Sequence, residues 1–95
     1  MKSSVEMLAM DYRALSTPEL GRRFINAWIH KGFYPDATQT LMSIISSAMH
    51  ERKDVDEKRA IYMSIRRSLF EIKDEDPGRA AILRDMMHYF VSEFL

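Results

Sequence analysis

The sequence predicts an all-α fold, a small helical bundle. From Thr17 onward, apolar side chains recur three and four residues apart, the spacing of one face of an α-helix. Helix start signals, Ser16-Thr17-Pro18 and Asp76-Pro77, fall between the apolar runs. No stretch alternates apolar and polar residues as a half-buried strand does.

The elements follow in order. Residues 4–15 carry Val5, Met7, Leu8, Tyr12 and Leu15, a modest helical pattern with Ser4 as its expected cap. Residues 1–15 are expected to be either a short helix or a mobile arm. In Ser16-Thr17-Pro18-Glu19, Ser16 is the expected cap, Pro18 fits the first turn and Glu19 completes a capping box. That helix should run to Lys31 and stop at Gly32, with Leu20, Phe24, Ala27 and Trp28 as its stripe and Ile25 and Ile29 beside it.

After Phe33-Tyr34-Pro35, Asp36 is expected to cap a helix reaching about Arg52. Its stripe is Ala37, Leu41, Ile44, Ile45, Ala48 and Met49, opposite Ser43, Ser46, Ser47 and His50. Asp54 or Asp56 should cap the next helix, to about Lys73, through Ile61, Tyr62, Ile65, Leu69 and Ile72. Asp76 should cap the last helix, with Pro77 in its first turn and a stripe of Ala80, Leu83, Met87, Phe90, Val91 and Phe94. The short links after the third and fourth of these segments predict an antiparallel three-helix C-terminal unit, with one or two N-terminal helices packed on it. The chain, residues 1–95, is expected to be a single helical domain.

Composition narrows the function. The chain is 46% hydrophobic and 29% charged, an ordinary globular balance, and its formal net charge is zero. Neutrality argues against a protein whose main task is gripping phosphate. The chain has no cysteine, so disulfides, thiolate metal sites and thiol catalysis are excluded. Met1-Lys2-Ser3-Ser4, followed by Glu6 and Asp11, makes a poor secretory leader, and no apolar run approaches a membrane span. A soluble cytoplasmic protein that does not engage membranes is the expectation.

Catalytic chemistry finds little purchase. His30, His50 and His88 have no second histidine or carboxylate pair at ligand spacing, and His50-Glu51 lacks the partner histidine of a zincin motif. Glu19, Asp36, Asp54, Asp56, Glu57, Asp74 and Asp76 gather at helix starts, where capping explains them. Asp54-Val55-Asp56-Glu57 lacks the glycine and the distal glutamate of a calcium loop. No Gly-rich phosphate loop and no serine nucleophile motif is present. The expectation is a non-enzyme with no catalytic residue, no metal and no cofactor.

The surface is more informative. On the helix through Ile61, the side chains of Met63 and Phe70 fall about 100° beyond the core stripe, with Arg59, Arg66 and Lys73 between them and the core. On the last helix, Ile82, Met86 and Tyr89 lie beyond the Leu83–Phe90 face, so more than half its circumference is apolar. Either the N-terminal helices cover this surplus, or it meets a second copy or another protein. Eight methionines suit an adaptable interface and favour the second reading. The expected interface is Met63, Phe70, Ile82, Met86 and Tyr89, with Arg59, Arg66 and Arg67 as a basic rim that sets orientation. Arg22 and Arg23, with Arg59 and Arg66, keep open a nucleic-acid-binding regulator as an alternative. A small chaperone or immunity protein masking one partner is another.

One stretch also resembles a known family. Thr38-Gln39-Thr40-Leu41-Met42-Ser43-Ile44-Ile45 is a polar-then-aliphatic helix, Lys53-Asp54-Val55-Asp56-Glu57-Lys58 a short polar turn, and Ile61-Tyr62-Met63-Ser64-Ile65 with Ser68-Leu69 the start of the next helix. Met86-Met87-His88-Tyr89-Phe90 closes the pattern. In this order they resemble the YmgB/AriR biofilm-development and acid-resistance regulators over about residues 36–90. This chain departs from them in a longer N-terminal part and a sharper break at Asp76-Pro77-Gly78. The resemblance implies an all-α homodimer in the cytoplasm with a regulatory role in biofilm formation, acid resistance or two-component signalling. It implies action through protein contacts, with DNA binding also proposed, and it carries over no catalytic residue. The leading expectation is therefore a non-enzymatic regulatory or adaptor protein, a connector that works by helix-mediated protein contacts.

Overall fold

The computed structural model describes residues 3–31 and 35–95, and the fold is all-α. The described helices are α1 (Ser4–Ala14), α2 (Thr17–Lys31), α3 (Pro35–Glu51), α4 (Val55–Ile72) and α5 (Pro77–Phe94), with no strand among the described residues.

Capping chemistry sets the helix starts. Ser3, not Ser4, caps α1: its hydroxyl accepts from the Glu6 N–H at 3.2 Å. Ser16 accepts from the Glu19 N–H at 3.3 Å, as the capping box requires. The Glu19 carboxylate does not return to Ser16 and instead receives Arg22 and Arg23. Asp36 lies within the first turn of α3, which begins one residue earlier at Pro35. Of the two candidates before α4, Asp54 is the cap, accepting from the N–H groups of Asp56 at 3.0 Å and Glu57 at 3.2 Å. Asp76 accepts from the Arg79 N–H at 3.0 Å, and Pro77 opens α5. The expected stop at Gly32 lies outside the described residues.

The chain divides into two compact units, Met1–Lys53 and Asp54–Leu95. In the first unit α3 packs against α2 and α1. Leu20, Phe24, Ala27 and Trp28 of α2 are buried, and so are Ile44, Ile45, Ala48 and Met49 of α3. The Phe24 and Trp28 rings lie 5.9 Å apart between centroids, tilted by 38°, and the Lys31 ammonium sits 3.5 Å above the Trp28 ring centre. Tyr12 is the buried residue of α1, and α1 packs against α3.

Arg52 completes the unit. Its guanidinium donates to the carbonyls of Leu15 (2.7 Å), Arg13 (3.0 Å) and Tyr12 (3.2 Å), and to the Thr17 hydroxyl (3.4 Å). At the end of α1 the carbonyls of Arg13 and Leu15 lack helical donors, while that of Tyr12 also receives the Leu15 N–H at 3.2 Å. A cation at a helix C-terminus also suits the helix dipole.

In the second unit α4 packs against α5. Ile61, Ile65 and Leu69 are buried on α4, and Ala80, Leu83, Met86, Phe90 and Phe94 on α5. Phe90 meets Phe94 edge-on at 5.1 Å. The expected grouping of α3 with α4 and α5 is thus corrected: the contacts of α3 with α1 and α2 place it in the first unit. A short connection limits how far apart two helices lie, but the complementary stripe decides which helix buries which.

Candidate functional site

Two residues of the expected interface stand out on α4. Phe70 is 54% exposed and Met63 is 42% exposed, both large apolar side chains on the solvent side of a well-formed helix. They are seven residues apart, so about two turns and roughly 10 Å of helix axis separate them along one line. Helical spacing puts them there: Lys58, Ile61, Ile65 and Leu69 take the buried stripe, and Met63 and Phe70 fall beyond its edge.

Cations frame Phe70. The Arg66 guanidinium carbon lies 5.3 Å from the ring centroid and the Lys73 ammonium 5.1 Å from it. The pair comes from positions four before and three after the phenylalanine, which share its side of the helix. Charge close to the ring quadrupole is attractive, and the attraction strengthens when water is removed. Among the described residues, neither Arg66, Arg67 nor Lys73 has a carboxylate within ion-pair distance. Arg59 differs: it meets Asp56 at 3.5 Å, so its charge is partly answered on its own helix.

The remaining predicted residues sort differently. Ile82 is 37% exposed on α5, and Tyr89 is half-buried with its ring edge-on to Phe94 at 6.0 Å. Met86 is 0% exposed and belongs to the core, so it leaves the candidate interface. The core face of α5 centres near Leu83. Met86 lies about 60° from that centre and Val91 about 80° from it on the other side, which turns Met86 inward and leaves Val91 exposed. Lys58 is buried on the Ile61–Ile65 stripe. Its long apolar stem suits such a position, and no buried side-chain nitrogen or oxygen among the described residues lacks a partner.

The other candidates for chemistry are engaged structurally. Arg22 and Arg23 both reach Glu19, one turn earlier on α2. The hydrogen bond from Arg22, and then its charge, hold the Glu19 carboxyl below the usual value of 4.5. His30 sits in the last turn of α2, with its Nδ1 2.7 Å from the Asn26 carbonyl. Among the described residues no three His, Cys, Asp or Glu side chains gather as metal ligands would. No helix among them is long and apolar enough to cross a membrane.

Sequence reasoning placed Lys73 near Phe70 without giving it a part in the face. The signal was its spacing of three from the phenylalanine. Comparison of the chain with family models, curated proteins and solved structures found no match.

Proposed function

We propose that this chain is a non-enzymatic regulatory or adaptor protein that works through helix-mediated protein contacts, with the outer face of α4 as its docking surface. The observation that carries the reading is Phe70: a half-exposed aromatic ring set between two cations that have no carboxylate partner among the described residues. Burying the remaining half of a phenylalanine, about 100 Å², is worth roughly 2–3 kcal/mol. Desolvating the two cation–ring contacts adds to that. An aromatic anchor with arginine beside it is the composition from which strong interface residues are drawn.

A connector role in two-component or biofilm regulation, as the resemblance to the YmgB/AriR regulators implies, belongs to this reading. So does a cytoplasmic setting, in keeping with the cysteine-free composition. The test is site-specific photo-crosslinking in the producing cell, with a photoreactive residue at position 63 or, as control, at exposed Ser64. The expected outcome is a discrete adduct from position 63 that disappears when Phe70→Ser is added. Equal adducts from both positions, or none from position 63, would remove the α4 face as a docking surface.

A further inference from the structure

We infer that the occupant of the α4 face is an acidic amphipathic helix of another protein, one that presents two apolar side chains about two turns apart with carboxylates beside them. The inference rests on the docking role proposed above and names the chemistry of the partner.

Charge complementarity selects the occupant. Met63 and Phe70 form an apolar line about 10 Å long, the length two turns of a partner helix would cover. Beside this line stand Arg66, Arg67 and Lys73, none of which meets a carboxylate among the described residues. Arg66 and Lys73 are held against the Phe70 ring, at 5.3 and 5.1 Å. A carboxylate arriving there would pair with a cation already positioned beside the ring.

A second copy of the chain fits this face poorly. Pairing two α4 faces antiparallel about the midpoint of Met63 and Phe70 sets Arg66 of one copy against Arg67 of the other. Pairing them parallel sets Arg66 on Arg66 and Lys73 on Lys73. Both arrangements bring together like charges, none of which meets a carboxylate within ion-pair distance among the described residues. A nucleic acid fits poorly as well. The centre of the face is apolar, and Glu71, Asp56 and Glu57 on the same helix interrupt any longer run of positive charge. The chain as a whole has no net charge.

The test is selection of a displayed library of short helical peptides, varied in charge, on the full-length protein. Counter-selection uses two variants, Phe70→Ser and the double replacement Arg66→Glu with Lys73→Glu. Both alter exposed side chains, and circular dichroism checks that each keeps its helix content. The expected result is enrichment of clones with two apolar residues seven apart flanked by Asp or Glu, with affinity for either variant at least about tenfold weaker. Enrichment of apolar clones irrespective of charge, lost only with Phe70→Ser, would overturn the acidic partner while leaving the docking face in place. Equal selection on wild type and Phe70→Ser would overturn both. Binding of duplex DNA or of phosphatidylserine vesicles that survives Phe70→Ser and falls steeply with salt would overturn the inference in favour of a polyanion. Light scattering that shows a dimer dispersed by Phe70→Ser would overturn it in favour of self-association.

Discussion

The guanidinium of Arg52 donates to the carbonyl of Leu15 at 2.7 Å, across thirty-seven residues of chain. The same side chain reaches the carbonyls of Tyr12 and Arg13. One residue at the end of α3 therefore closes the end of α1.

Replacing Arg52 should loosen this corner. Arg52→Ala removes several charge-assisted donors from carbonyls that have few other partners, a cost of about 2–3 kcal/mol. Arg52→Lys should restore only a fraction, because an ammonium does not reproduce the planar fork. Trp28, the single tryptophan of the chain, lies in the same unit. Urea unfolding followed by its fluorescence measures the loss, and faster amide exchange along α1 should accompany it.

Two methionines of the second unit should behave oppositely. Met86→Ala opens a hole among Leu83, Phe90 and their neighbours and should cost about 2–5 kcal/mol. Met63→Ala should stay within about 0.5 kcal/mol of wild type, because its side chain already faces water. Thermal melts followed by the helical dichroism signal compare the two. A large loss with Met63→Ala would contradict its exposed position.

The helix caps make a graded series. Asp54→Ala strips the acceptor from the Asp56 and Glu57 N–H groups and should cost about 1 kcal/mol. Asp54→Asn keeps an acceptor oxygen and should recover most of it. The same pair at Asp76, which accepts from the Arg79 N–H, should repeat the order in urea titrations.

Gly78→Ala should stabilise the protein by about 0.5 kcal/mol, since alanine is the better helix former and restricts the unfolded chain. A methyl group there would meet its nearest neighbour, the Asp76 carboxylate, at 3.7 Å, an ordinary contact. The backbone imposes no positive φ at this glycine. An upward shift of the melting temperature is the readout.

Glu19 should titrate below an ordinary glutamate, because Arg22 donates to it and adds its charge. A carboxyl with a depressed folded-state pKa contributes stability above its unfolded value of about 4.5, and the contribution is lost as pH falls through the lower folded value. Arg22→Gln should return the titration toward the ordinary range, as followed by NMR of the Glu19 side-chain carbons. Added salt should shrink the shift in the wild type, since the pair is solvent-accessible.

Helix punctuation was readable from composition because it is local. Ser16, Asp54 and Asp76 each bond an N–H two or three residues on, so the signal and its partner sit side by side in the sequence. The stripes of α2 and α4 were readable for a similar reason: polar residues bound them on both sides. On α5 apolar side chains cover most of the circumference, so periodicity gave no firm direction, and only packing decided between Met86 and Val91. The exposure of Met63 and Phe70 followed from the helical wheel, whereas Arg52 did not stand out at all. Its acceptors are main-chain carbonyls far away in sequence, and a carbonyl looks the same whatever residue carries it.

The junction at residues 52–54 has a practical side. Arg52 is committed to α1 and to Thr17, and Asp54 to the start of α4. Lys53 between them is exposed, and the boundary of the compact units falls directly after it. An epitope tag or a stretch of glycine and serine spliced in behind Lys53 would leave both anchors on their own sides, which makes this the natural seam at which to cut, label or lengthen the protein.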